Sequence, residues 1–183
     1  MAPFNLFLLC TKEEMIFLPV CLRLLRKNLK PTPEGVFLLG SRDDKLDRLA
    51  YDMGATHKII NLESGWEKIA DTITALTGTL RALIWWPRAL LLKGWSLPGG
   101  ENPAVWGEGF GLYLTSARVK TVLTSFSNPP KPGELNASGS GVQTLKTRLK
   151  VLPASLFSSW DQQISLTEGW FLEGLTFQDW VQG

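Results

Sequence analysis

The chain has 183 residues, with 19 Lys and Arg against 17 Asp and Glu for a formal net charge of +2, and 44% of it is hydrophobic. That length suits one domain, or one and a partial second, and the apolar fraction supports a core. The near-cancelling charge excludes the basic face that nucleic acid requires.

Two cysteines, Cys10 and Cys21, and one histidine, His57, cannot fill the tetrahedral shell of a structural zinc, so no metal is expected. A disulfide framework is equally unsupported, which points to a reducing, cytoplasmic setting. Eight tryptophans are many for this length, and seven of them, from Trp85 onward, lie after residue 84.

In chain order, Phe4-Asn5-Leu6-Phe7-Leu8-Leu9 is a short apolar run with no basic residue before it and Lys12, Glu13 and Glu14 just after. A secretory signal has a positive start and a longer apolar stretch. Met15 to Leu25 is interrupted by Pro19 and Arg23 and is too short to span a bilayer, so no membrane contact is expected. Ile16 to Lys30 reads as a helix, with Pro19 tolerable near its first turn and Arg26, Lys27 and Lys30 suiting the dipole at its end. Pro31-Thr32-Pro33-Glu34-Gly35 stops it.

Val36-Phe37-Leu38-Leu39 has the continuous apolar character of a strand buried on both faces. A helix is predicted from Arg42 to Met53, with Ser41 as N-cap, acidic Asp43 and Asp44 in its first turn, and Gly54 ending it. Residues 55–61 follow as a strand. Next comes a helix from Ser64 to Leu76, with Ser64 as cap, Glu67 in a capping box and Gly78 at its end. Ala82 to Trp86 is a third strand. Strand, helix, strand, helix, strand with short loops is the pattern of a parallel sheet with crossover helices.

Beyond Pro87 the pattern weakens. Ala89 to Lys93 reads as helical, and Leu112 to Phe126 as a strand or hairpin because Tyr113, Val119, Thr121 and Val122 lean towards β structure. Prolines, glycines and serines near 127–141 read as a linker. Asn136-Ala137-Ser138 matches a glycosylation acceptor that has meaning only in a secreted chain. Gly107-x-Gly109-x-Gly111 lacks both the spacing and the following helix of a phosphate loop.

The ordered set Val36 to Leu46, Leu49-Ala50, Met53-Gly54-Ala55-Thr56-His57 and Ile59-Ile60-Asn61 resembles the medium-chain dehydrogenase/reductase family. It is most similar to the quinone-reductase and enoyl-reductase-like branch, also described as alcohol-dehydrogenase-like, and the match covers about a quarter of the chain. The resemblance implies an α/β fold, a partial Rossmann-like parallel sheet over residues 16–86 that binds NADP(H). It places an N-terminal segment at 1–15 before this nucleotide-binding unit, and a Trp-, Gly- and Pro-rich region without a sustained pattern at 87–183 after it. It also implies that Ser41, Arg42 and Lys45 contact the 2′-phosphate, since Arg offers a planar donor fork. Taken alone, Ser41 is equally a helix cap, and Arg42 and Lys45 solvated helix residues.

The chain departs from that family in lacking a glycine-rich turn before the first helix, where Thr11-Lys12-Glu13-Glu14 stands instead. Leu62 stands where many members have tyrosine. No catalytic residue is identified, and His57 reads as a hydrogen-bonded structural residue rather than a base. The resulting expectation is an NADP(H)-dependent oxidoreductase-like chain with incomplete machinery. Two alternatives stay open: a non-enzymatic interaction protein presenting its Trp-rich C-terminal region to a partner, or a dehydrogenase segment flanked by translated intron or a shifted reading frame.

Overall fold

The structure is a computed structural model describing residues 3–91, 94–97, 104–106, 111–126, 130, 150–152 and 157–159. Its centre is a sheet built on β1 (Phe4–Leu9), β3 (Gly35–Gly40), β4 (Thr56–Ile59) and β5 (Arg81–Trp85). β3 and β5 flank β1, β4 lies outside β3, and all these pairings are parallel. Beyond β5 come β9 (Gly111–Leu114), antiparallel to it, then β8 (Ala104–Trp106) and β10 (Lys150–Leu152). The sheet order is therefore β10-β8-β9-β5-β1-β3-β4. Two small pairings join β2 (Leu29–Lys30) to β7 (Trp95–Ser96) and β6 (Ala89–Leu91) to β11 (Phe157–Ser159).

The expected α/β class with a largely parallel sheet is what the chain adopts. Four helices accompany the strands among the described residues: α1 (Leu18–Asn28), α2 (Asp44–Asp52), α3 (Trp66–Thr77) and α4 (Ser116–Leu123). Side chains alternate across a strand, so each strand feeds two cores. Phe4, Leu6 and Leu8 of β1, with Val36, Leu38, Leu83 and Trp85, pack against Leu18, Leu22 and Leu25 of α1 and Leu46 and Ala50 of α2. Phe7 and Leu9, with Leu39, Ile84 and Leu112, pack against Ile69 and Ile73 of α3 and Val119 and Val122 of α4. Helices cover both faces. That explains why Phe4–Leu9 is buried throughout and apolar except for Asn5, a run that serves as the central strand.

Several local elements differ from the sequence expectation, each for a definable reason. The helix after β3 starts two residues later, because Asp43 rather than Ser41 is its cap. A 3₁₀ turn, Leu62–Ser64, capped by Asn61, precedes α3, and Gly65 at φ 106° makes the break between them, so Ser64 caps nothing. Residues 89–91 are extended rather than helical. The stretch expected as strand or hairpin yields β9 and then α4, whose Val119, Val122 and Leu123 bury one helical face. Packing against α3 there outweighs the β-leaning of valine and threonine. The residues near 127–141, apart from Pro130, and most of the Gly107–Gly111 run lie outside the described residues.

Gly40 ends β3 where the chain passes closest to β1. A Cβ there would stand 2.8 Å from the Cys10 carbonyl oxygen and 2.9 Å from Leu46 Cδ2. Backbone cannot yield as a flexible side chain can, so Gly40→Ala should destabilise the fold by about 1–3 kcal/mol in urea denaturation.

Candidate functional site

From β1 the chain runs through β3 to β4 on one side of the sheet, then returns through α3 to place β5 on the other side of β1. The loops leaving the carboxyl ends of β1 and β5 therefore diverge and open a crevice, the usual position for ligands in such sheets. Residues 12–17, after β1, form successive turns: the Glu14 amide donates to the Thr11 carbonyl at 3.0 Å, and the Phe17 amide to the Glu14 carbonyl at 3.0 Å. Trp86, Pro87 and Arg88 follow β5, and Ser41 and Arg42 follow β3.

Glu14 and Arg88 close the crevice between them. The Glu14 carboxylate is fully buried; it accepts the Arg88 backbone N–H at 3.0 Å and the Arg88 Nε–H at 3.1 Å. The guanidinium also stands over the Phe17 ring, 5.2 Å from its centroid. Burial pushes the Glu14 carboxyl above its ordinary range, and the charge and hydrogen bonds of Arg88 oppose that push. Thr11 Oγ1 and Trp86 Nε1, at the ends of β1 and β5, are buried without a hydrogen-bond partner among the described residues. Buried donors are rarely left so.

The Cys10 and Cys21 thiols are buried and unbridged. Burial drives both well above the ordinary thiol range, and Glu14 adds to the effect. Neither supplies a thiolate nucleophile. Among the described residues no group of three or more His, Cys, Asp or Glu could hold a metal ion, and no helix is long and apolar enough to cross a membrane.

The residues expected to contact a cofactor phosphate are all exposed. Ser41 and Arg42 are exposed at the carboxyl end of β3. Lys45 lies on α2 and lines a shallow groove of about 470 Å³ with Asp44, Arg48, Leu49 and Asp52. Asp43 does the capping: its Oδ1 accepts the Lys45 amide at 2.7 Å and the Leu46 amide at 3.2 Å. Asp43→Ala should therefore cost about 1 kcal/mol in thermal or urea unfolding. Ser41→Ala should cost almost nothing in the same assay, the reverse of what the sequence suggested.

His57 is the structural residue the sequence suggested. Its Nδ1 meets Asp47 Oδ1 at 2.5 Å and its Nε2 meets the Gly40 carbonyl at 3.2 Å, which ties β4 to α2 and β3. Sequence reading missed the Glu14–Arg88 pair. The partners are 74 residues apart, and nothing in the polar Thr11-Lys12-Glu13-Glu14 turn singles out Glu14 as the carboxylate that is buried.

No pyrophosphate seat forms at α1. The Leu18 amide donates to Met15 and the Cys21 amide to Phe17, and Pro19 has no N–H to offer. No side chain caps the helix. The bare amides that a dinucleotide phosphate needs at a helix start are largely consumed.

No family model and no curated protein matches the chain. Among solved structures, the chain is similar to a cytidylyltransferase from Leptospira borgpetersenii, at 10% identity and TM-score 0.57, over 82% of this chain and 75% of that one. It is similar to 4-diphosphocytidyl-2C-methyl-D-erythritol synthase, at 10% identity and TM-score 0.56, over 94% and 99% of the two chains. It is also similar to the glycosyltransferase GlyE of Streptococcus pneumoniae, at 10% identity and TM-score 0.51, over 97% of this chain and 53% of that one, about half its length.

These likenesses concern the fold, and they overturn the resemblance to medium-chain dehydrogenases and reductases. The oxidoreductase reading, including its quinone-reductase-like and alcohol-dehydrogenase-like forms, falls with it, as does NADP(H). The reason lies in the topology. β4, β3, β1 and β5 stand in the strand order 3-2-1-4 of a dinucleotide-binding sheet, but the next strand, β9, is antiparallel where that sheet continues parallel.

Proposed function

We propose that the chain is a nucleotide-binding domain of the nucleotidyl- or glycosyl-transferase type, holding the phosphates of its ligand across the carboxyl ends of β1, β3 and β5. The observation that carries this reading is the reversal of strand order between β1 and β5, with orphaned donors on Thr11 and Trp86 at the two strand ends. The similar structures include a cytidylyltransferase and a glycosyltransferase, which supports the same choice. The exposed cations at this edge, Lys12 after β1 and Arg42 after β3, are the side chains we assign to ligand phosphate, with Ser41 as a neutral donor.

Calorimetric titration with CTP tests the reading. Saturable binding is expected, weakened about tenfold by Lys12→Ala or Arg42→Ala through loss of a charge-assisted contact. Absence of binding at millimolar CTP, or binding indifferent to both substitutions, would contradict it.

A further inference from the structure

The Glu14–Arg88 pair is more than a closure. A backbone N–H and a guanidinium N–H of one residue converge on two oxygens of one anion, at 3.0 and 3.1 Å. That donor set suits a phosphate as well as a carboxylate. Its position is also specific, because Glu14 sits in the loop leaving β1 and Arg88 in the loop leaving β5, the two sides of the strand-order reversal.

Closing the crevice does not require charge, since an apolar pair in a dry site is often at least as stabilising as an ion pair. Here the carboxylate is fully buried while the Arg88 side chain is 28% exposed, so the Arg88 side of the pair is the one open to solvent. The turn that carries Glu14 also carries the orphaned Thr11 hydroxyl, a further donor for an incoming oxyanion. The turn itself is built from short-range hydrogen bonds outside any regular helix, which lets Glu14 move without unwinding α1.

We infer that Arg88 is the phosphate receptor of the crevice and that Glu14 is its internal competitor. In the free chain the carboxylate occupies the Arg88 amide and guanidinium. A ligand phosphate takes both donors, and Glu14 turns out to solvent. The inference rests on the reading of this strand edge as a phosphate seat. Affinity for phosphate is then lowered by the fraction of chains in which Glu14 holds Arg88, and removing the competing charge restores it.

The test uses inorganic pyrophosphate and the full chain. Glu14→Gln keeps the size and one acceptor oxygen but lacks the charge. It should bind pyrophosphate about tenfold more tightly than the unmodified chain. Glu14→Asp, which keeps the charge but shortens its reach, should fall between the two and serves if the glutamine variant does not fold. The double variant Glu14→Gln/Arg88→Met, checked for folding by its thermal midpoint, should lose the gain of Glu14→Gln and bind pyrophosphate no more tightly than the unmodified chain, since Lys12 and Arg42 alone remain. Equal or weaker pyrophosphate binding by both single variants would overturn the exchange. CTP binding that responds to Lys12→Ala but is the same in Glu14→Gln would leave the phosphate seat standing and remove only the competitor role. Absence of CTP and pyrophosphate binding in every form would overturn both.

Discussion

Replacing Arg88 by methionine should cost the fold about 1–2 kcal/mol in urea denaturation at neutral pH, because the Glu14 carboxylate must then stay unpaired in its buried seat or turn out to solvent. The figure lies below the range for buried pairs that cannot rearrange, since the Arg88 side chain is already 28% exposed and the turn that carries Glu14 is free of α1. Adding Glu14→Gln to that variant should return most of the loss, because the buried charge is then gone.

The pair also sets a pH dependence. Burial holds the Glu14 carboxyl above its ordinary range in the folded chain. A raised carboxyl favours folding fully below the unfolded carboxyl range, and that contribution is lost as pH rises through the folded value. Stability of the unmodified chain relative to Glu14→Gln should thus fall from acid towards neutral pH. Arg88→Met should steepen the fall, because Arg88 is what pulls the carboxyl down. A methionine variant as stable as the parent, or a slope of opposite sign, would show that the carboxylate is not desolvated.

Trp66→Ala should cost about 3–5 kcal/mol by emptying the core beneath α3. Trp66 is fully buried at the first position of that helix. Its ring meets Trp86 edge-on at 6.3 Å and Phe126 at 5.8 Å. It therefore joins the start of α3 to the end of β5 and to the turn after α4. Trp66→Phe keeps an aromatic ring and should lose about a third as much. Both are read from urea midpoints at unchanged m-value, which separates a loss of packing from a change in the unfolded chain. A cost under about 1 kcal/mol for alanine would mean that the site collapses to fill the cavity.

Most of β3 through β5 was legible in the sequence, because there periodicity, glycine stops and cap-forming side chains agree. Leu46, Ala50, Ile69 and Ile73 are buried as their spacing requires. The choice of Asp43 over Ser41 as cap was not legible, since both residue types cap well and only backbone geometry selects between them. Phe4–Leu9 shows a different limit. A run of six residues with five apolar ones does not say whether it is central or peripheral, and its place depends on helices that cover both faces.

The family resemblance failed for a related reason. Residues 36–61 build β3, α2 and β4, a unit common to many α/β sheets, and the strand that separates the alternatives begins only at Gly111. The candidate site was the least legible part. Glu14 and Arg88 become neighbours only through the reversal of strand order, and nothing local to either residue announces the other. The tryptophan excess divides as well. Trp85 and Trp86 are core residues, and the side chains of Trp95, Trp106, Trp160, Trp170 and Trp180 lie outside the described residues.

The central claim, a phosphate-bearing nucleotide held at the carboxyl ends of β1, β3 and β5, is tested most directly by mapping amide shifts during titration of the isotope-labelled chain with CTP. Saturating shifts confined to residues 11–15, Gly40–Arg42 and Trp86–Arg88 are the predicted result. An absence of shifts at millimolar nucleotide, or shifts gathered around Lys45, Arg48 and Asp52 on α2, would contradict it.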